Sequence, residues 1–119
     1  MQKVLLLLLL LSGFFTGKAQ WYDPEKVDHK ASTIYNLANN KARSGEYPSA
    51  IKMINEALKI EPRFVDAYLS LAGIHANMKG YDTAVFYFEK AFALDTLYTN
   101  YYLLPYSIDL AGAGRFAEA

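Results

Sequence analysis

Gly45-Glu46-Tyr47-Pro48-Ser49-Ala50 is followed by Gly80-Tyr81-Asp82-Thr83-Ala84, in which the tyrosine and the alanine return 34 positions later. The same offset pairs other residues of like character: Leu37 with Leu71, Ala38 with Ala72, Ile54 with Phe88, and Ala57 with Ala91. A third copy opens near Gly114, where Phe116 and Ala119 follow after 35 positions, so one residue is inserted within 96–100. A period of this length is the signature of a repeat architecture.

Each copy is predicted to contain two helices. In the first copy, apolar residues recur at three- and four-residue steps, as on one face of a helix: Ala31, Ile34, Tyr35, Leu37, Ala38 and Ala42. Gly45 is expected to end this helix, Pro48 to lie in the first turn of the next, and Pro62 to stop it. The second copy follows the same plan. Because no segment shows the period-two alternation of strands, the fold class is predicted to be all-α.

Small residues are expected to set the distance between the paired helices. Ala38 is predicted to face Ala50, and Ala72 to face Ala84, on antiparallel neighbours. Alanine at such a contact allows the two helix axes to approach to the close end of the usual range. Tyr47 and Tyr81 would cover the resulting seams at the turns.

This pattern resembles the tetratricopeptide repeat over residues 31–119. The positions that carry the resemblance are Ile34, Leu37, Ala38, Gly45, Tyr47, Ala50, Ile54, Ala57 and Pro62 in the first copy, Tyr68, Leu71, Ala72, Tyr81, Ala84, Phe88 and Ala91 in the second, and Phe116 and Ala119 in the third. Lys41 stands where an aromatic residue is usual, Gly80 comes one place late, and Thr96 replaces the proline. The resemblance implies a helix-turn-helix solenoid of about two and a half repeats: 31–64, 65–98 and a partial third, 99–119.

The first nineteen residues have the pattern of a secretory signal peptide. Lys3 precedes the apolar run 4–15, and small residues follow at Gly17 and Ala19. The run is shorter than the roughly 20 apolar residues that span a bilayer. We therefore expect cleavage after Ala19, with an uncleaved membrane anchor as the alternative. Residues 20–30 are predicted to form a lead-in helix or cap, with Asp23 as its N-cap.

Composition excludes several classes of function. Without residues 1–19, ten basic residues face twelve acidic ones, and no basic cluster suggests nucleic-acid binding. The absence of cysteine excludes disulfides, thiolate metal sites and a cysteine nucleophile. His29 and His75 lie 46 residues apart, and no catalytic or phosphate-binding motif is present. No enzymatic activity, cofactor or metal is therefore expected.

The resemblance implies a groove lined by the first helix of each repeat. The residues expected there are Ser32, Tyr35, Asn39, Ala42, Asp66, Leu69, Gly73, Ala76, Tyr101, Leu104 and Ile108, with Arg43 and Asn77 at the rim. Aromatic rings and asparagine amides suit an extended peptide, so the predicted partner is a protein or peptide. In the alternative interpretation, Tyr35 and Leu69 pack between the repeats.

The third copy carries two further expectations. Pro105 predicts a bend over 101–105, or a helix that starts at Pro105. The sequence stops within the next predicted helix, so we expect the N-terminal piece of a longer protein. Four apolar residues would then lack full cover and could self-associate: Leu103, Tyr106, Ile108 and Leu110.

Export signal and repeats together predict a scaffold for protein interactions in the bacterial envelope, periplasmic or associated with the outer membrane. The leader and first repeats also resemble envelope proteins in which such repeats precede a β-propeller and an outer-membrane-protein-A-like domain. Two alternatives stay open: a sensing or substrate-docking arm of a longer enzyme, such as a peptidase or sensor kinase, and a self-associating structural module.

Overall fold

A computed structural model describes residues 21–115 and 118–119. Within these ranges the chain is all-α, without strands, and its five helices are α1 His29–Arg43, α2 Tyr47–Ile60, α3 Val65–Asn77, α4 Tyr81–Leu94 and α5 Leu103–Gly112. Helix α1 pairs with α2 and α3 with α4, while α1 and α2 both contact α3 and α5 packs on α4. Successive helix pairs of this kind confirm the predicted solenoid. The predicted signal peptide 1–19 and Phe116 lie outside the described residues.

The helix ends agree with the turn chemistry of the sequence. The Asp28 carboxylate accepts a hydrogen bond from the backbone N–H of Ala31 at 3.0 Å and caps the start of α1. Gly45 has a φ of 80° and follows the end of the same helix. Helix α2 carries Pro48 in its first turn, where the missing N–H costs no intrahelical bond. The lead-in contains a short 3₁₀ turn, Pro24–Lys26, which Asp23 caps as expected.

Lys79 explains why Gly80 comes one place late in the second repeat. The left-handed backbone position after α3 belongs to Lys79, with a φ of 63°, whereas Gly45 and Gly114 hold it in the other two copies. Gly80 instead directly precedes α4, and its N–H bonds to the carbonyl oxygen of His75 at 2.8 Å. The turn therefore keeps its geometry with a lysine at the position that favours glycine.

Small residues fill the seams between paired helices, as predicted. Four seam alanines have no exposed surface: Ala38, Ala50, Ala72 and Ala84. Two larger residues, Ile54 and Leu71, are equally buried beside them. Alanine at such a contact allows the paired helices to pack closely.

Leu37 does not share the burial of its repeat partner. Leu71 is fully buried in a cluster with residues of the first repeat, whereas Leu37 is 52% exposed. This position packs against the preceding repeat, and among the described residues no repeat precedes α1. Leu37 therefore occupies its place in the repeat pattern without the burial of Leu71.

The connection between α4 and α5 contains the inserted residue and a short 3₁₀ turn. A 3₁₀ turn, Asn100–Tyr102, leads directly into α5, which begins at Leu103. Pro105 thus lies in the first turn of α5, where it interrupts no hydrogen bond. The predicted start at Pro105 was two residues late. The expectation of poor cover fails for Leu110, which is fully buried, but holds for Leu103 and Ile108, which are 51% and 59% exposed.

Candidate peptide-binding face

The exposed sides of α1, α3 and α5 form what we term the first-helix face, and it contains one polar pocket. Three predicted groove residues, Asn39, Arg43 and Asn77, meet there with Ala42 and Tyr47 around a volume of about 350 Å³. Asn39 and Arg43 lie one turn apart on α1, and Asn77 comes from the last turn of α3. The 34-residue repeat places these two helix ends side by side, so residues distant in sequence face one space.

The pocket can bind polar groups of a peptide. Each asparagine amide offers two donors and an acceptor, which match the C=O and N–H of an extended backbone. The Arg43 guanidinium has no carboxylate within 4.0 Å in the part of the chain that the structure describes. No acidic residue lines the pocket. A peptide carboxylate or carbonyl oxygen would therefore find donors and no repulsion there.

Tyr35 and Leu69 follow the alternative interpretation and pack between the repeats. The Tyr35 hydroxyl is 2.9 Å from Ser70 Oγ, and its ring lies 4.8 Å from the Phe64 ring, centroid to centroid. Leu69 is only 6% exposed and belongs to the core of the second repeat. Leu69 therefore cannot present a surface to a partner, and the groove prediction has to be corrected for it. Tyr35 serves chiefly to join α1 to α3.

The Asp66 carboxylate makes hydrogen bonds that could not be predicted from the sequence. Its carboxylate accepts hydrogen bonds from the Tyr22 hydroxyl at 2.9 Å and the Tyr98 hydroxyl at 2.8 Å. The two rings meet edge to face at 4.7 Å, and the Tyr22 N–H bonds to Asp95 Oδ2 at 3.0 Å. Because Tyr22 lies 44 residues before Asp66 and outside the repeat, no periodic signal could have revealed this pair.

Burial and the negative charge of Asp66 raise the pKa of both tyrosines. Desolvation is the larger cause for Tyr22 and for Tyr98, followed by the hydrogen bond that each donates to Asp66. The neutral phenol is the form that can donate, so the contact favours protonated tyrosines. Asp66 thus ties the lead-in segment and the 95–99 loop to the start of α3. It is a structural junction within this structure rather than a free groove residue.

The far end of the first-helix face is apolar. Tyr101 is 89% exposed, and Leu104 and Ile108 are 70% and 59% exposed on α5. These residues lie on α5 and the turn before it, whereas the Asn39 pocket lies between α1 and α3. A partner that follows the face would meet polar groups at one end and apolar groups at the other.

The spacing of potential metal ligands and the surroundings of His75 can be compared with the sequence. No group of three or more histidine, aspartate, glutamate or cysteine side chains is placed to hold a metal in the described part of the chain. His75 stacks on Tyr87 with a centroid distance of 5.6 Å, and burial lowers its pKa. His75 is thus packed against an aromatic ring. No helix in the described ranges is long and apolar enough to cross a membrane.

Comparison with known proteins identifies the class of the repeat. Residues 65–96, which comprise α3 and α4, match the family model described as tetratricopeptide repeat. This segment is thus similar to a tetratricopeptide repeat, and the neighbouring helices pack beside it as further helix pairs. Repeats of this class generally mediate interactions between proteins.

One curated protein shares a longer stretch. The chain is 33% identical over 62 residues to the UDP-N-acetylglucosamine--peptide N-acetylglucosaminyltransferase of Giardia intestinalis (strain ATCC 50803 / WB clone C6). The match includes 52% of this chain and 4% of that protein. The chain therefore spans only a small part of the length of this relative.

Proposed function

We propose that this chain is a non-enzymatic interaction scaffold that binds an extended peptide segment of a partner protein through its first-helix face. The observation that carries the proposal is the convergence of Asn39, Arg43 and Asn77 on one polar pocket. Two amides and a guanidinium, without an acidic neighbour lining the pocket, form a site for peptide oxygens. The proposal assigns no bond-making step to the chain.

The face supports a directional mode of binding. Peptide carbonyl or carboxylate oxygens would occupy the polar pocket, since amides and guanidinium both donate hydrogen bonds. An apolar side chain of the same peptide would lie against α5, near Leu104 and Ile108, and lose its exposure to water. Since the helices are already held by core packing, little ordering of the scaffold would oppose binding.

A matched pair of variants tests this site. Peptides selected from a random display library on the full chain would be synthesised and their affinities measured by calorimetry. Asn39→Ala combined with Asn77→Ala should weaken binding at least about tenfold, because two buried peptide groups lose their partners. Asn40→Ala, an exposed change on α1, is the control and should alter affinity less than about twofold. Equal affinity of the double variant and the wild type would contradict the proposal.

We further propose that the protein is exported and works in the envelope of a bacterium, in the periplasm or at the outer membrane. The support is the charged, apolar and small-residue pattern of residues 1–19. N-terminal sequencing of the protein from a fractionated bacterial host should find Gln20 as the first residue in the periplasmic fraction. Recovery of the intact chain from the cytoplasm would contradict export. The β-propeller and peptidoglycan-binding domains of similar envelope proteins remain expectations from the resemblance.

A second candidate function is a substrate-docking arm of a longer enzyme. It is favoured by the relative from Giardia, because the name of that protein describes a transferase acting on peptide. The match covers only 4% of that protein, so similar segments occur there within a much longer chain. The same pocket would then hold a substrate rather than a structural partner. Reading the open reading frame beyond Ala119 distinguishes the two, because a catalytic domain there would favour the arm and envelope-binding domains would favour the scaffold.

A further inference from the structure

A second groove lies between the second helices of the two repeats, and we term it the second-helix groove. It has a volume of about 460 Å³ and shares no residue with the Asn39 pocket. Its lining comes from three helices: Asn55, Leu58 and Lys59 of α2, Tyr68 of α3, and Phe86, Tyr87 and Lys90 of α4. The proposed function leaves this surface unused.

Aromatic rings form one wall of the groove. Phe86 is 52% exposed and contacts Tyr87 edge to face at a centroid distance of 5.2 Å. The Tyr87 ring lies near-parallel to the Tyr68 ring at a centroid distance of 6.4 Å and to the His75 ring at 5.6 Å. The rings therefore make a connected apolar surface that water still reaches at Phe86. Such a surface gains free energy when another apolar group covers it.

Two lysines give the groove a positive charge. Lys90 Nζ lies 5.2 Å from the centroid of the Phe86 ring and 6.0 Å from that of Tyr68, within the range of cation–π attraction. Lys59 lines the groove from α2. Across residues 21–115 and 118–119, neither lysine has a carboxylate within 4.0 Å, and no acidic residue lines the groove. The charge of this surface is thus complementary to an acidic ligand.

The first repeat shows that helix packing does not require these residues. The positions equivalent to Phe86 and Lys90, 34 residues earlier, are Lys52 and Glu56. The first repeat forms its helix pair with a lysine where the second has phenylalanine, and with a glutamate where the second has lysine. An exposed phenylalanine beside a lysine is therefore a feature of this groove and not of the repeat architecture.

We propose that the second-helix groove docks an acidic peptide segment of a partner protein. One apolar side chain of the segment packs on Phe86 and Tyr87, and flanking carboxylates pair with Lys59 and Lys90. The groove is open along its length, which suits a chain segment better than an enclosed small molecule. Its position, separate from the first-helix face, allows a second partner segment to bind while the first remains in place.

Charge and ring variants test the proposal with a defined probe. The probe is a short fluorescein-labelled peptide with one central tryptophan between glutamates, and its anisotropy is measured with the full chain. Lys59→Glu combined with Lys90→Glu should weaken binding at least about tenfold, and more salt should weaken binding to the wild type. Lys30→Glu combined with Lys41→Glu changes the net charge equally on α1 and should leave affinity within about twofold.

Phe86→Lys separates the apolar contact from charge. This variant adds a positive charge yet should bind the probe several-fold more weakly, because the apolar wall is lost. A peptide with the tryptophan replaced by serine should lose more affinity for the wild type than for Phe86→Lys, because that variant has already lost the apolar contact. Circular dichroism verifies that each variant remains helical.

The proposal is overturned if the wild type does not bind at about 1 mM probe. It is also overturned if the Lys30→Glu and Lys41→Glu control loses as much affinity as the Lys59→Glu and Lys90→Glu variant, or if Phe86→Lys binds the probe more tightly than the wild type. Polygalacturonate would be tested in parallel as an anionic saccharide. Its binding in place of the peptide would make the groove a saccharide site and the proposal wrong. Failure here leaves the Asn39 pocket intact, because the two surfaces share no residue.

Discussion

At the scale of single residues, Lys79 shows that turn geometry is kept even where the residue type opposes it. A side chain with a φ of 63° is strained relative to glycine, which occupies the same place as Gly45 and Gly114. The turn could be predicted from the sequence. The sequence does not show which of the two adjacent residues, Lys79 or Gly80, takes the left-handed conformation.

Lys79→Gly is expected to stabilise the fold by about 0.5–1 kcal/mol, since relief of backbone strain exceeds the added freedom of the unfolded chain. Urea unfolding of the full chain, followed by circular dichroism at 222 nm, measures the change. Gly45→Ala is the matched control at the equivalent turn and should destabilise by about 1–2 kcal/mol. If Lys79→Gly destabilised as much as Gly45→Ala, the assignment of the left-handed position would be wrong.

Gly112 is required by a close contact rather than by its φ angle. A Cβ built there would lie 2.8 Å from two ring atoms of Tyr81, the tyrosine that the sequence predicted would cover the seam. Gly112→Ala should therefore destabilise by about 1–3 kcal/mol through overpacking. Gly73, in the middle of α3, has nothing within 4 Å of its would-be Cβ. Gly73→Ala should stabilise by about 0.5–1 kcal/mol, and equal effects of the two changes would contradict the packing described.

At the scale of elements, the repeat pattern determined the helices but not their environment. The seam alanines and the turns around Gly45 and Pro48 could be predicted, because local propensity and the 34-residue period act within each copy. Leu37 could not be distinguished from Leu71, since burial at that position depends on a neighbouring repeat. The Tyr22–Asp66 contact could not be predicted from the sequence either, because it joins a non-repeating segment to α3 across 44 residues.

The lead-in segment is held by tyrosines whose pKa values are raised, which predicts an alkaline loss of stability. A phenol whose folded pKa lies above its unfolded value of about 10 stabilises the fold fully at lower pH. This contribution disappears as pH rises above about 10 and towards the folded pKa, because the unfolded state then releases its proton first. The free energy of unfolding, measured against pH from about 8 to 11, should therefore decline over the upper part of this range.

Tyr22→Phe combined with Tyr98→Phe should lower stability at neutral pH, since two hydrogen bonds to Asp66 are lost. The same variant should flatten the alkaline decline relative to the wild type. Tyr101→Phe is the control, because Tyr101 is 89% exposed, and it should leave the pH profile unchanged. An identical decline in the double variant and the wild type would show that the Asp66 junction is not its cause.

At the scale of the whole molecule, the stacked helix pairs separate two surfaces of different chemistry. The first-helix face presents amides and a guanidinium, and the second-helix groove presents aromatic rings and lysines. The family resemblance implied Asn39 in the groove and Arg43 and Asn77 at its rim, and the structure brings the three to one pocket because the solenoid places equivalent helix ends side by side. The resemblance did not predict the second-helix groove, whose residues at Phe86 and Lys90 depart from the first repeat.

The central claim is that the Asn39 pocket receives a partner peptide, and nuclear magnetic resonance tests it most directly. Spectra of the ¹⁵N-labelled full chain would follow the side-chain amides of Asn39 and Asn77 and the Nε–H of Arg43 during titration with a display-selected peptide. We predict that these three signals shift together and saturate with one dissociation constant, while Asn40 stays unmoved. Saturable binding that leaves all three signals in place would contradict the account.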